Sequence, residues 1–376
     1  MQKPVFHRLY EARPVLFQSG LSLVELLIAM ALGLLLTLGV TQIYLSSSVT
    51  YRQTEGLAYA QESTRFVAAM LTPELRSAGS FGCLAQMGRS FDQIVDNRLA
   101  GTLIVPLTQP LQGWEYTGTG PGDAITLEAA LSTPTVGNWD SGTAGDDLPT
   151  ELADPDPDVG AVINSDVVII NALTPLDVEV SAVTAPTNTT ITLSGASGVG
   201  PGSIVLATRG DCSEGELFEK NSDAATTSTI TIDDASTNTF GLVYDVQTRI
   251  YEFTTTAYYI GQGSNGEPAL FRRVINPLQV PQELVSGVET LQILYGVDTG
   301  GSNAADDYVP ADEVADWDTI ASVRFSVMTR SRDEVLDEEN DRSFDMLGSE
   351  VSQAANGDNR VRLVSVSTTA LRGRTE

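Results

Sequence analysis

The chain has 376 residues, of which 49 are Asp or Glu and 21 are Lys or Arg, so its formal net charge is −28. A surface this acidic is unable to neutralise phosphate groups, which excludes nucleic acids as partners. The single histidine, His7, and the two cysteines, Cys83 and Cys212, exclude a histidine-based catalytic triad, a His-rich zinc site and a disulfide-dense scaffold. With 42% hydrophobic residues the chain is able to bury a core of its own.

The first predicted element is a membrane-spanning helix. Residues 1–20 carry Lys3, Arg8 and Arg13, and residues 21–40 are then almost wholly apolar. A helix of about 20 residues is about 30 Å long, which matches the hydrocarbon core of a bilayer. Because basic residues precede this run and none follows it immediately, we expect the N-terminus in the cytoplasm and the remainder outside.

Two ordinary interpretations of this run stay open, a secretory signal peptide and a plain signal anchor. The run is longer than the apolar core of a usual signal peptide, and residues 44–47 make a poor small-residue cleavage site. A plain anchor does not explain Glu25, because a carboxylate in a membrane helix costs about 2.5–3.5 kcal/mol and usually has a partner.

Residues 20–28, Gly-Leu-Ser-Leu-Val-Glu-Leu-Leu-Ile, resemble the signal of type IV prepilins. The resemblance implies that a prepilin peptidase removes a leader of residues 1–20 by cleavage between Gly20 and Leu21, and that Leu21 is then N-methylated. Glu25 would become the fifth residue of the mature chain. Its carboxylate would pair with the new α-amino group, or with that of a neighbouring subunit, and so set the registry of an incoming subunit. The Leu at the first mature position, where Phe is commonest, departs from the family pattern.

The sequence predicts that the helix continues beyond the membrane. Residues 46–78 contain no Gly or Pro cluster, although Pro73 is expected to kink the last turns. Small and apolar side chains recur at spacings of three and four on one face, with Thr64 as its polar member: Leu57, Ala60, Thr64, Val67, Leu71, Leu75 and Ala78. We therefore expect a pilin helix over residues 21–80, of which 21–45 span the membrane, packed on a head of residues 81–376.

The head is predicted to be rich in β-strands. Clusters of Gly, Pro, Asn, Asp and Ser separate short β-branched runs. The candidate strands are residues 103–107, 124–128, 166–171, 178–183, 189–193, 204–208, 228–232, 249–260, 269–274, 291–295, 322–328 and 361–367. Since no long helical segments separate them, an antiparallel sheet is favoured and the fold class is α+β.

Acidic loops interrupt these strands at residues 138–160, 298–318 and 332–345. They are interpreted as solvated loops, and no cofactor is expected. A weaker alternative is a Ca²⁺ site at Asp154, Asp156 and Asp158, which alternate as at the start of an EF-hand loop. Against it, Val159 occupies the position that requires Gly, and no Glu stands at the twelfth position.

The two cysteines have two possible states. If the head is periplasmic, a disulfide between Cys83 and Cys212 is expected. A bond that closes so long a loop would stabilise the fold by about 5 kcal/mol in the chain-entropy model. Two unpaired buried thiols are the alternative.

Several head segments resemble PilW-type minor pilins of the type IV pilus. Residues 75–83, which end in Gly-Cys, resemble that family's helix exit, and segments between residues 202 and 218 resemble its second cysteine region. Residues 258–272 are similar to its hairpin, and residues 287–298, Gly-Val-Glu-Thr-Leu-Gln-Ile-Leu-Tyr-Gly-Val-Asp, are the closest match. The resemblance implies a type IV pilin-like fold, in which the long helix packs on a large antiparallel β-rich head.

The resemblance also implies a function. Such a protein has no catalysis of its own and takes part in pilus assembly, in a tip or priming complex that supports a large tip adhesin. Its partners would be the prepilin peptidase, the pilus assembly platform, other minor pilins and the major pilin. It would lie in the inner membrane with its head in the periplasm before assembly, and at the pilus tip afterwards. Three roles of the pili stay open on the sequence: twitching motility, DNA uptake and cell adhesion.

Two other functions stay open on the sequence. A minor pseudopilin of a type II secretion system would share the N-terminal signal. A membrane-anchored periplasmic adhesin or enzyme would keep the helix but never enter a filament.

Overall fold

The computed structural model describes residues 22–87, 91–99, 103–106, 109–127, 131, 137–143, 146–154, 156, 159–185, 188–221, 224–233, 239–338, 340, 342–354 and 357–371. The chain divides into two compact units, residues 1–52 and residues 53–376. The described part of the first unit is almost entirely α-helix, and the second unit contains the remainder of that helix and the strands.

Helix α1, Leu23–Ser77, is 55 residues long. It ends before Gly79, which has a φ of 69°, a backbone conformation that favours glycine. The N–H of Gly79 donates to the backbone carbonyl of Asn171 at 3.2 Å, and a Cβ on Gly79 would lie 2.6 Å from Cβ of Pro110. The helix end and the close approach of the sheet therefore both require glycine at this position.

The described residues form eighteen strands and several short helical turns. The strands are β1 (Val95–Asn97), β2 (Leu111–Tyr116), β3 (Ala124–Leu127), β4 (Trp139–Asp140), β5 (Val167–Pro175), β6 (Thr190–Thr192), β7 (Ile204–Thr208), β8 (Gly215–Lys220), β9 (Thr229–Asp233), β10 (Arg249–Gln262), β11 (Pro268–Asn276), β12 (Gln282–Ser286), β13 (Val288–Val297), β14 (Asp307–Val309), β15 (Ile320–Arg330), β16 (Phe344–Met346), β17 (Ser349–Gln353) and β18 (Arg362–Ala370). The short helical elements are α2 (Phe91–Ile94) and the 3₁₀ turns Gly82–Met87, Ala311–Glu313 and Trp317–Thr319.

Three sheets make up the head. The largest has eleven strands and follows the order β4-β2-β5-β10-β7-β8-β9-β6, while β11 pairs with β10 and β12, and β1 pairs with β8. A four-stranded sheet follows the order β14-β13-β15-β18, and a three-stranded sheet the order β16-β17-β3. Of the pairings between described strands, only β1 with β8 and β3 with β17 are parallel. The expected α+β architecture, a long N-terminal helix with an antiparallel β-rich head, is confirmed.

The main hydrophobic core joins helix α1 to the sheets. Val67, Leu71 and Leu75 are fully buried there, together with Leu291 of β13 and Phe325 of β15. A separate core lies around β6–β9, where Phe240 stacks edge to face on Phe218 and Tyr244, at ring-centroid distances of 5.2 and 5.4 Å. The second half of the helix therefore packs on the main core, whereas the strands β6–β9 enclose a core of their own.

The expected apolar face of the helix is confirmed with one error. Ala60, Thr64, Val67, Leu71, Leu75 and Ala78 are all buried. Leu57 is instead 38% exposed, and its neighbour Gly56 is buried in its place. A Cβ on Gly56 would lie 3.0 Å from side-chain carbons of Ser331 and Val335, so the close contact needs the residue without a side chain.

Two of the expected strands are wrong. Residues 103–106 form no strand, because the side-chain amide of Asn171 donates to the carbonyls of Val105 and Pro106 at 3.3 and 3.2 Å in place of a ladder. In residues 178–183 the pairing is a single bridge from Val180 to Leu193. Conversely, β2 and β8 were not expected, because polar residues such as Gln112 and Lys220 are buried in them.

Candidate functional site

The start of helix α1 is built by a reciprocal cap. The Ser22 hydroxyl accepts the backbone N–H of Glu25, and the Glu25 carboxylate accepts the backbone N–H of Ser22, both at 3.2 Å. This capping box satisfies two of the N–H groups that the first helical turn leaves without a partner. The negative charge of Glu25 also interacts favourably with the positive end of the helix dipole. Gly20 and Leu21 lie outside the described residues, so the predicted cleavage site has no structural description.

The first part of helix α1 buries none of its side chains. Every described residue from 22 to 52 is exposed or half-exposed, including Leu23 (74%), Leu36 (71%) and Ile43 (73%). Within the described part of the chain, this is the one helix that is long and apolar enough to cross a membrane. So large an apolar surface marks contact with a membrane or with other proteins.

The second part of the helix is fixed to β15 by a pair of buried hydroxyl groups. Oγ1 of Thr64 lies 2.8 Å from Oγ1 of Thr329, and each hydroxyl also reaches the carbonyl of Ala60, at 2.9 and 3.0 Å. Both threonines are less than a tenth exposed. The polar member of the predicted helix face is therefore satisfied by a polar residue of the strand beneath it.

The predicted disulfide between Cys83 and Cys212 is present, with the two Cα atoms 5.8 Å apart. It links the turn after helix α1 to the turn between β7 and β8, beside a cluster that contains Phe81 and Leu84. Cys212 has a φ of 58° within this turn. The bond therefore fastens the end of the helix to the eleven-stranded sheet.

Three arginines and three acids form an ion-pair network around the start of β18: Arg330, Arg360, Arg362, Glu267, Glu289 and Asp358. Arg362 is 1% exposed at its side chain and binds Glu289 at 2.7 Å and Asp358 at 2.8 Å. Burial raises the pKa of Glu289, and the guanidinium of Arg362 opposes that shift. Because Glu267 stands between β10 and β11 and Glu289 lies on β13, the network joins the two larger sheets.

A second buried polar group is the acid pair Glu115 and Asp166. The Asp166 carboxylate accepts the backbone N–H groups of Ile293 and Tyr116, at 2.7 and 3.3 Å, and so bridges two sheets. Burial raises the pKa of Glu115 to about 10 and that of Asp166 to about 7. Glu115 therefore stays protonated at neutral pH, which avoids two adjacent buried charges.

Some carboxylates of the acidic loops accept hydrogen bonds from their own loop. Asp154 accepts the N–H of Asp156 at 2.9 Å, and Asp158 lies outside the described residues. Hydrogen bonds from the hydroxyl and N–H of Thr299 lower the pKa of Asp306. In the part of the chain that the structure describes, no group of three or more His, Cys, Asp or Glu side chains is placed to hold a metal ion.

The predicted site residues thus fall in separate places. Glu25 lies in the first unit, and the disulfide lies in the second. Sequence reasoning missed Thr329, the arginine network and the pair Glu115 and Asp166. The alternation of β15, in which Thr329 follows Phe325 and Val327 on the buried side, is the signal that would have found the first of them.

A long N-terminal helix with an exposed apolar first part and an antiparallel β-rich head are consistent with a pilin-like architecture. A scan against protein-family models matches residues 257–373, about a third of the chain, to the family described as PilW, type IV pilus-assembly protein W. This confirms the predicted resemblance to PilW-type proteins and supports a role in type IV pilus assembly. The matched segment contains the four-stranded sheet and the arginine network. A search of the curated proteins found no match.

Proposed function

We propose that the protein is a minor pilin that acts in the tip or priming complex of a type IV pilus and supports a tip adhesin. It is made as a precursor with a leader of residues 1–20, is cleaved between Gly20 and Leu21, and is N-methylated on Leu21. The membrane-spanning part of the helix, residues 21–45, then enters the filament core, and the head of residues 81–376 packs on other pilins. No catalytic step is assigned to it.

The observation that carries this proposal is the first part of helix α1, which begins with a cap and buries none of its described side chains. The Glu25 carboxylate already reaches back to the backbone N–H of Ser22. Cleavage after Gly20 would place a new ammonium group only one residue before that N–H. The pairing of this cation with Glu25, in the same or a neighbouring subunit, offsets the cost of placing an acid in an apolar environment.

The proposed location follows from the same helix. Before assembly the protein is held in the inner membrane by residues 21–45, with its N-terminus in the cytoplasm and its head in the periplasm. After assembly it lies at the pilus tip. The disulfide supports an oxidising compartment for the head.

The test is mass spectrometry of the protein recovered from sheared pili. We expect a chain that begins at Leu21 and carries a methyl group on its α-amino nitrogen. An intact leader, or cleavage elsewhere, would contradict the processing and favour a simple membrane anchor. A processed chain that is absent from sheared pili but required for protein secretion would favour a type II secretion pseudopilin.

The role of Glu25 has its own test. Glu25→Ala should leave membrane insertion intact, because an acid is removed from an apolar segment. It should lower the amount of the protein in sheared pili. Glu62→Ala, which removes an exposed acid from the second part of the same helix, is the matched control and should be recovered as wild type. Equal recovery of both variants would contradict the registry role.

A further inference from the structure

Strand β18 forms a free edge of the four-stranded sheet. Among the described strands its ladder partner is β15, in a register that runs from Arg330 opposite Arg362 to Ser322 opposite Ala370. The N–H of Leu371 donates to the carbonyl of Ala321 at 2.9 Å, which fixes the alternation of the ladder. Odd-numbered residues of β18 therefore bond to β15, and the backbone groups of its even-numbered residues point away from the sheet.

Part of this edge is already covered. Arg362 belongs to the ion-pair network, and Val364 packs against the cluster around Met346. The open part consists of Val366, which is 52% exposed, with Thr368 and Ala370, which are also exposed. Within the part of the chain that the structure describes, no hydrogen bond reaches their N–H and C=O groups. Five residues of free edge match the length of an ordinary strand.

The open edge has none of the features that usually prevent a strand from pairing. Residues 363–370 contain no charge, no Pro and no Gly, although the whole chain carries 70 charged side chains in 376 residues, 21 basic and 49 acidic. Natural proteins normally protect a long edge with charges, Pro or a bulge. An unprotected edge in so acidic a chain is therefore suited to accept another strand.

A cation stands beside the open edge. Arg324 of β15 donates from Nε to Oγ1 of Thr368 at 3.3 Å, and its guanidinium lies 3.9 Å from the ring centroid of Tyr308. The Tyr308 ring lies over Gly296, and its hydroxyl is 2.9 Å from the Ser322 hydroxyl. A Cβ on Gly296 would lie only 3.1 Å from the Tyr308 ring. Among the described residues Arg324 has no carboxylate within ion-pair distance, unlike the arginines of the network.

We propose that the open edge of β18 and Arg324 form a docking site for an extended, uncharged segment of another pilus subunit, and that an acidic residue next to this segment places its carboxylate on Arg324. The segment adds a fifth strand to the four-stranded sheet through backbone hydrogen bonds. A second copy of this chain is disfavoured as the occupant, because both copies would be strongly acidic, and in both Arg324 has no carboxylate partner among the described residues. This inference rests on the proposed function as a pilin.

The test places a photo-crosslinking amino acid at Ala370 of the full-length chain in piliated cells. The matched control places it at Val280, which is 87% exposed but lies between β11 and β12. We expect Ala370 to crosslink to one pilus subunit, within an uncharged extended segment next to an acid, and Val280 not to do so. A crosslink only to a second copy of this chain, or none from Ala370, would overturn the proposal.

Two pairs of variants test the contacts. Val366→Pro removes an outward N–H without a bond to β15 and should lower the Ala370 crosslink about ten-fold, whereas Val366→Thr keeps the N–H and the crosslink. Arg324→Glu should abolish the crosslink, and Arg324→Lys should retain most of it, which keeps the test valid if the proline variant fails to fold. An unchanged crosslink in Arg324→Glu would overturn the proposal.

The same cells separate this inference from the proposed function. If the wild-type chain is processed and found in sheared pili, but Val366→Pro and Arg324→Glu crosslink as wild type does, the edge is not the docking site and the pilin function stands. If the wild-type chain keeps its leader and is absent from pili, the proposed function fails, and this inference fails with it.

Discussion

The two parts of helix α1 have the same secondary structure and opposite surroundings. Residues 23–45 are almost wholly apolar, and nearly every side chain up to residue 52 is exposed. Residues 53–77 are instead amphipathic and bury one face in the head. Leu36 is 71% exposed, and Leu71 is completely buried. The difference follows from sequence alone, because the first part has no polar face and the second has one at helical spacing.

The comparison shows where each part finds its partner. The second part meets residues of its own chain, so its packing contributes to the stability of the head. The first part has no partner in the described structure of its own unit, so its apolar side chains are available to a membrane or to other proteins. Substitutions in the second part should therefore change the free energy of unfolding of the head, whereas substitutions in the first part should leave it unchanged.

The largest expected effect comes from the buried face. Leu71→Ala should lower the free energy of unfolding of the head by about 3–4 kcal/mol, from lost burial and the cavity that remains. Leu35→Ala, at a position that is 66% exposed, should change it by less than about 0.5 kcal/mol. The measurement is tryptophan fluorescence of the full chain in detergent during unfolding. Equal losses would remove the distinction between the two parts.

The second prediction concerns the sheets on which the second part packs. Glu115 and Asp166 have raised pKa values in the folded protein, about 10 and about 7, because both are buried. Their contribution to stability is complete below the ordinary carboxyl pKa and is lost as the pH rises through the folded values. The unfolding temperature of the head should therefore fall from about pH 4 towards pH 10.

The control for this pH dependence is Asp166→Asn. The amide stays neutral, so the variant should lose the part of the decline that falls below about pH 7. Helical content of the first part, measured by circular dichroism of a peptide of residues 21–52 in detergent, should not change over the same range. A head whose unfolding temperature rises with pH would contradict the assignment.

The third prediction concerns the hydroxyl pair between helix and strand. Thr329→Val should cost about 1 kcal/mol, because the buried hydroxyl of Thr64 loses a partner. The double variant Thr64→Val, Thr329→Val should cost less than the sum of the two single variants, since the contact between the two hydroxyls is lost in each single variant but only once in the double variant. Thr41→Val, which removes a hydroxyl bound to Thr37 in the exposed part, should leave the head unchanged. Additive losses would show that the pair is not coupled.

The same contrast explains what could be predicted from the sequence. The helix and its buried face followed from local spacing, since positions three and four apart lie on one side. The burial of Gly56 in place of Leu57 could not be predicted, because it depends on the close approach of Ser331, which is distant in sequence. The absent strand at residues 103–106 depends in the same way on the side chain of Asn171.

The candidate sites also differ in whether their residues are close together or far apart in the sequence. The signal around Gly20 and Glu25 is a local sequence pattern, and the processing that it predicts stays a prediction. The disulfide could be expected from compartment and cysteine count. The arginine network and the free edge of β18 bring together residues from strands far apart in the chain, so only the sheet order reveals them.

The smallest expected effect lies at the start of the exposed part. Ser22→Ala removes the hydroxyl that accepts the N–H of Glu25 and should destabilise the first helical turn by about 1 kcal/mol. Amide hydrogen exchange in detergent should become about five-fold faster over residues 23–26 and stay unchanged in the head, because the cap contributes to local helix stability only. Ser46→Ala, within the same exposed part but away from the helix end, is the control and should not speed exchange. Unchanged exchange in Ser22→Ala would mean that the helix start is held by contacts other than the capping box.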